Sequence, residues 1–209
     1  MKPSLFVDVD TQHDFCDPRG ALFVGGAPTI LDNVRRLIRA ATEQKSLLVG
    51  SVDSHNYTAW EFAANGGPFP PHCVKGTPGW LKMPDTLPER AVFVPDLLRS
   101  THDDIVPDDA SAIYFEKEVY SMFANPEAEP LIDHLLSKRG LKRADVSAVV
   151  FGVATDYCVK AAAEGLHDRG FEVTVVTDAV AAVDDAAGIE TLKNLNQKGV
   201  RLAETKDVL

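Results

Sequence analysis

The chain has 209 residues, 45% of them apolar, which is enough to bury a sizeable core in one compact domain spanning residues 1–209. Its net charge of −10 and the lack of any stretch of transmembrane length argue against nucleic acid and membranes as partners. Three cysteines, Cys16, Cys73 and Cys158, form an odd, sparse set that suits a reducing cytoplasm better than a disulfide framework.

In chain order, a strand is expected at 5–9. Its apolar run is short and broken by Asp8 and Asp10, so it does not read as a signal peptide. A helix follows at 28–44, with Ile30, Leu31, Val34, Leu37, Ile38 and Ala41 on one face at helical spacing. The next strand is 47–52. From His55 to about Ala110 runs a proline-rich connection that also carries Trp60, Phe62, Phe69 and Trp80. A connection this long is usually functional, and it leaves the carboxyl end of a strand, where open α/β sheets bind ligands. It therefore reads as a pocket-building excursion. Strands at 112–115, 146–151, 171–176 and 200–202 alternate with helices at 129–139, 157–168 and 185–197. Near-continuously apolar strands alternating with helices predict an α/β fold of three layers, α/β/α. Its six-stranded, mostly parallel sheet is covered by helices on both faces.

Three chemically distinct groups fall at strand ends. Cys158 follows the 146–151 strand at a turn into a helix, where partial positive charge from unpaired N–H groups favours thiolate. That segment alone leaves a nucleophile and a buried structural thiol equally open. Asp10 closes the first strand and reads either as a general base for a thiol or as a turn-capping carboxylate. Lys117 follows the third strand and reads alone as a surface ion pair with Glu116 or Glu118. Together, however, an acid, an amine and a thiol at the ends of parallel strands converge on one rim. A second group follows the 47–52 strand: Asp53-Ser54-His55, then Glu61, then His72. Carboxylate and imidazole donors at this spacing suit zinc, iron or manganese, though unliganded histidines fit the spacing as well. Cys73 and Cys16 are left out of that set.

The chain resembles the cysteine hydrolases of the isochorismatase-like superfamily, and within it the nicotinamidase/pyrazinamidase group. The matching blocks are Val9-Asp10-Thr11-Gln12-His13-Asp14-Phe15-Cys16 with Gly20-Ala21-Leu22; Asp53-Ser54-His55; Phe69-Pro70-Pro71-His72-Cys73-Val74-Lys75-Gly76-Thr77; Lys117; and Gly152-Val153-Ala154-Thr155-Asp156-Tyr157-Cys158-Val159. The resemblance implies Asp10, Lys117 and Cys158 as the catalytic set. It also implies a cis peptide at Val153–Ala154, with Ala154 and Cys158 N–H groups for an oxyanion. One divalent metal, zinc first with iron or manganese as alternatives, would be held by Asp53, His55, His72 and Glu61. Phe15, Phe69, Tyr120 and Tyr157 would line the substrate pocket. The implied activity is hydrolysis of nicotinamide, or pyrazinamide, to the acid and ammonia through a thioester, as in NAD salvage and pyridine nucleotide biosynthesis. Alternatives are a related hydrolase of another small amide or ureido substrate and a non-enzymatic thiol redox protein. A homo-oligomer is left open.

Four positions depart from the family pattern. Glu61 stands where many relatives have a histidine, Phe69 where tryptophan is common, His13 where asparagine is usual, and Tyr157 where histidine is common. A carboxylate at 61 can ligate the same metals, so the metal set survives.

Overall fold

A computed structural model describes residues 2–97 and 106–209. The apolar runs form strands, of which the inner ones are buried on both faces and the edge strands only in part. They are β1 (Ser4–Val9), β2 (Leu47–Asp53), β3 (Ala91–Val94), β4 (Ala112–Lys117), β5 (Ser147–Val153), β6 (Glu172–Ala181) and β7 (Arg201–Ala203). They pair in parallel throughout, in the order β3-β4-β2-β1-β5-β6-β7.

The sheet has seven strands, where the sequence predicts six. The additional strand, β3, is four residues long, lies between Pro88 and Pro95, and pairs with β4 at the sheet edge. Proline flanks and short length mask an edge strand of this kind in the sequence. It lies within the segment expected to be a long excursion, which also carries single helical turns at Ala63–Asn65, Pro78–Trp80 and Pro84–Thr86. Residues 98–105 of that excursion lie outside the described residues.

One face of the sheet is covered by α2 (Ala27–Glu43), whose apolar stripe of Ile30, Val34, Leu37, Ile38 and Ala41 is buried. The other face is covered by α3 (Ala128–Lys138), α4 (Lys160–Asp168) and α5 (Asp185–Gln197), through Leu131, Leu166 and Leu195 among others. Two further helices are short, α1 (His13–Cys16) and α6 (Thr205–Val208). The helix expected at 157–168 begins at Lys160, because residues Thr155–Val159 form a wider π-helical turn. Wide turns of this type often occur at functional sites. Among the described residues, no helix is long and apolar enough to cross a membrane.

The chain runs from β1 outward to β2 on one side, while β5 returns to the other side of β1. Such a reversal opens a crevice at the carboxyl ends of the central strands. Asp10 follows β1 and Cys158 follows β5 at that crevice.

Candidate active site

Parallel register brings the strand-end residues together. β2 and β4 pair so that Asp53 lies beside Lys117, and the Asp10 N–H donates to Ser51 O at 3.1 Å. Lys117 Nζ lies 2.9 Å from Asp10 Oδ2 and 3.4 Å from Cys158 Sγ, and it also ion-pairs with Asp53. Lys117 and Asp10 are fully buried and Cys158 is 6% exposed. The surface pairing with Glu116 or Glu118 does not form, because Glu116 pairs with Lys75 at 2.6 Å and Glu118 accepts from Asn56 at 3.0 Å.

Burial sets the protonation of this group. It pushes the Cys158 thiol well above its ordinary range, with Asp10 and Asp53 adding to the rise and Lys117 opposing it. The thiolate expected from a helix N-terminus is therefore not the resting form: desolvation among carboxylates outweighs the local positive charge. Burial also raises Asp10, against the pull of Lys117. For Lys117 burial acts downward, but Asp10, Asp53 and Cys158 overcome it and the ammonium is held well above its usual range. The result is a thiol and a carboxyl group, both of raised proton affinity, each in contact with one fixed ammonium.

The second cluster lies against the first through Asp53. Donor atoms of Asp53, His55, Glu61 and His72 all lie within 4.8 Å of one another, and all four residues are buried. His55 Nε2 is 2.6 Å from Glu61 Oε1 and 3.7 Å from Asp53 Oδ2. His72 Nε2 is 3.5 Å from Glu61 Oε1 and 4.0 Å from Asp53 Oδ2. Donors at roughly 2.0–2.2 Å from a single ion stand about 3–4 Å apart, so the set fits a divalent metal. His72 Nδ1 is 2.9 Å from Pro70 O, which leaves Nε2 as the free donor. Burial acts to lower His55, yet Asp53 and Glu61 raise it to about 9. Two buried carboxylates thus demand a positive charge at this point, whether a proton or a metal.

The substrate-side expectations also meet in one place. A cavity of about 30 Å³ is bordered by Cys158 and Ala154, by Asp53, Glu61 and His72, and by the rings of Phe15, Phe69, Tyr120 and Tyr157. Ring centroids run from Trp60 to Tyr120 at 6.0 Å, Tyr120 to Tyr157 at 5.2 Å, and Tyr157 to Phe69 at 5.7 Å. The Val153–Ala154 peptide is cis. His13 lies outside this cavity, on a groove beside Asp17. Cys73 faces Gly79 O at 3.9 Å and Cys16 packs in the core under α2, so neither borders the cavity.

The isochorismatase-domain family model matches residues 4–207. This chain belongs to the isochorismatase family. Relatives in the isochorismatase family include a nicotinamidase/pyrazinamidase of Mycobacterium tuberculosis, 28% identical over 93% of this chain and 95% of that protein. A nicotinamidase of Escherichia coli is 29% identical over 88% of this chain and 85% of that protein. Among solved structures, a pyrazinamidase of Pyrococcus horikoshii in complex with zinc superposes with a TM-score of 0.72 at 29% identity, covering 97% of this chain and 99% of that one. PnC1 from L. infantum in complex with nicotinate superposes with a TM-score of 0.70 at 27% identity, covering 98% and 94%.

Two residues of this isochorismatase-family site are missed by sequence reasoning about chemistry. The Gln12 side chain accepts from Asp53 N and donates to Asp53 O, each at 2.8 Å, and donates to Trp80 O at 2.8 Å. Asp14 accepts from Cys73 N at 2.7 Å and Ala21 N at 3.0 Å, tying the His72 loop to the helix that carries Phe15. The alternation Asp10-x-Gln12-x-Asp14 is the available signal, but neither polar group advertises a backbone partner elsewhere in the chain.

Proposed function

We propose that this isochorismatase-family hydrolase is a nicotinamidase, with residues 1–209 acting as one domain that converts nicotinamide, and pyrazinamide, to the acid and ammonia. The observation that carries this reading is Lys117. Its ammonium touches both Asp10 and the Cys158 sulfur and shares Asp53 with the four-residue donor set across a single cavity.

In the proposed cycle, Asp10 accepts the Cys158 thiol proton as the sulfur attacks the carboxamide carbon. Lys117 keeps the carboxylate and the forming thiolate in place. N–H groups of Ala154 and Cys158 stabilise the oxyanion; one such donor is typically worth about 3–4 kcal/mol. As the tetrahedral centre collapses, the C–N bond breaks and Asp10 returns its proton to the departing nitrogen, which leaves as ammonia. Asp10 then takes a proton from water, the new hydroxyl cleaves the thioester C–S bond, and the thiol is restored. Asp53, His55, His72 and Glu61 would hold one divalent ion, zinc first with iron or manganese as alternatives, which supplies Lewis acidity toward a pyridine-type ring nitrogen when bound. Phe15, Phe69, Tyr120 and Tyr157 pack the ring.

The buried donor set favours this reading over hydrolysis of a small amide or ureido substrate without a ring nitrogen, and over a thiol redox protein. Its acid product suits a role in NAD salvage, and the sparse, unpaired cysteines suit the cytoplasm. Ammonia release from nicotinamide by the wild-type protein, lost in Cys158→Ala, is the test. A correctly folded, metal-replete wild type that releases no ammonia from nicotinamide or pyrazinamide would overturn it.

A further inference from the structure

A second buried ion pair lies in the strand that leads to Asp10, and the proposed cycle makes no use of it. Lys82 Nζ donates to Asp8 Oδ2 at 2.9 Å and to Thr11 Oγ1 at 2.7 Å. The Thr11 hydroxyl donates to Asp8 Oδ1 at 3.0 Å and lies 2.9 Å from Thr86 Oγ1. Tyr114 OH donates to Asp8 Oδ2 at 3.0 Å, and the Lys82 ammonium sits 4.2 Å from the centre of the same ring. Asp8, Thr11, Thr86 and Tyr114 are fully buried, and Lys82 is 3% exposed. Buried ion pairs are weak sources of stability, because desolvating both charges offsets their attraction. What such a pair supplies is a fixed geometry.

That geometry converges on the residue after Asp10. Asp10 itself has φ 49°, a left-handed conformation that non-glycine residues seldom adopt. Thr11 is gripped through its hydroxyl by Asp8 and Lys82, and through its carbonyl by Met83 N at 2.9 Å. Gln12 and Lys82 pair as an antiparallel bridge, and His13 N–H donates to Leu81 O at 2.9 Å. We propose that Lys82, acting through Asp8 and Thr11, is a positioning residue for the Asp10 carboxylate. It holds Asp10 in its left-handed conformation with the carboxylate beside Lys117 and Cys158. This rests on the reading of Asp10 as the base for Cys158.

The double variant D8N/K82M removes both charges and leaves neither unpaired. It is expected to fold and to bind metal and nicotinamide as the wild type does, with kcat lowered by roughly 10–100-fold, the scale of a small misplacement of a reacting group. Thr11→Val removes only the linking hydroxyl and should lower kcat similarly without changing KM, whereas Thr11→Ser should restore it. This pair decides the matter if D8N/K82M does not fold. The pH profile of Cys158 alkylation supplies a readout that needs no substrate. It should shift in D8N/K82M and Thr11→Val and return in Thr11→Ser. A wild type inert toward nicotinamide would sink the substrate reading while leaving that profile to judge Lys82. Folded Thr11→Val with wild-type kcat and an unshifted alkylation profile would overturn the proposal.

Discussion

Gln12 brackets Asp53 by both of its backbone polar groups, accepting from its N–H and donating to its carbonyl at 2.8 Å each. Gln12, two residues beyond Asp10, therefore fixes the strand end that carries the Asp53 carboxylate. Gln12→Ala leaves these buried backbone groups without partners, which costs about 1–3 kcal/mol. We expect a lower thermal midpoint together with metal affinity weakened by roughly 10–100-fold, read by competition with a chelator. Wild-type metal affinity in the folded variant would show that Asp53 holds its place unaided.

Cys158 borders the cavity, whereas Cys16 and Cys73 are 1% and 0% exposed and do not. Cys158→Ala should abolish turnover, while Cys16→Ala and Cys73→Ala should only weaken it. A stoichiometric alkylating reagent near neutral pH should label Cys158 first, by access and by the proposed proton transfer to Asp10, since burial raises all three thiols. Peptide mapping after brief labelling checks this, and preferential labelling of Cys16 would contradict it.

Glu61 Oε1 reaches both imidazoles, at 2.6 Å from His55 Nε2 and 3.5 Å from His72 Nε2. We expect one divalent ion per chain, lost in His55→Ala or His72→Ala. Chelation should weaken nicotinamide binding while leaving Cys158 open to alkylation. Glu61→Ala should lower metal affinity by at least about 10-fold, and Glu61→His should shift preference toward zinc while retaining hydrolysis. Metal content and affinity unchanged in Glu61→Ala would remove this residue from the donor set.

Burial raises Asp10 above its ordinary 3.8, with Lys117 opposing and Asp53 adding to the rise. In the proposed cycle the carboxylate acts as base only when ionised, so activity should be lost as pH falls through this raised value. The acid limb of kcat/KM should accordingly lie above pH 3.8. A pH–rate profile that stays flat down to an ordinary carboxylate value would mean that Asp10 is not the titrating base.

Cys16 is pushed by burial from 9.0 to about 12. The folded chain keeps this thiol proton to higher pH than the unfolded chain does. Its contribution to stability is therefore full below pH 9 and is lost as pH rises toward 12, by up to about 4 kcal/mol. Denaturant midpoints across this range should fall less steeply in Cys16→Ala than in the wild type, and equal slopes would refute the assignment.

The parallel α/β architecture was legible in the chain, because apolar runs of strand length alternating with amphipathic helices leave few other ways to bury their surfaces. The sequence also singled out Asp10, Lys117 and Cys158 at strand ends, and Asp53, His55, Glu61 and His72 along one excursion. The choice of partners came only with folding. Parallel register set Asp53 beside Lys117, so one ammonium serves both clusters, a pairing of residues 64 positions apart that local pattern cannot specify. Edge strand β3 was hidden because its short run between prolines gains a partner only when β4 lies alongside. The protonation of Cys158 went against the local expectation, since helix-end charge is visible in sequence whereas desolvation and neighbouring carboxylates exist only after folding. Gln12 and Lys82 were illegible for the same reason. Their chemistry lies in the backbone groups and buried charges they meet, and those arrive from distant parts of the chain.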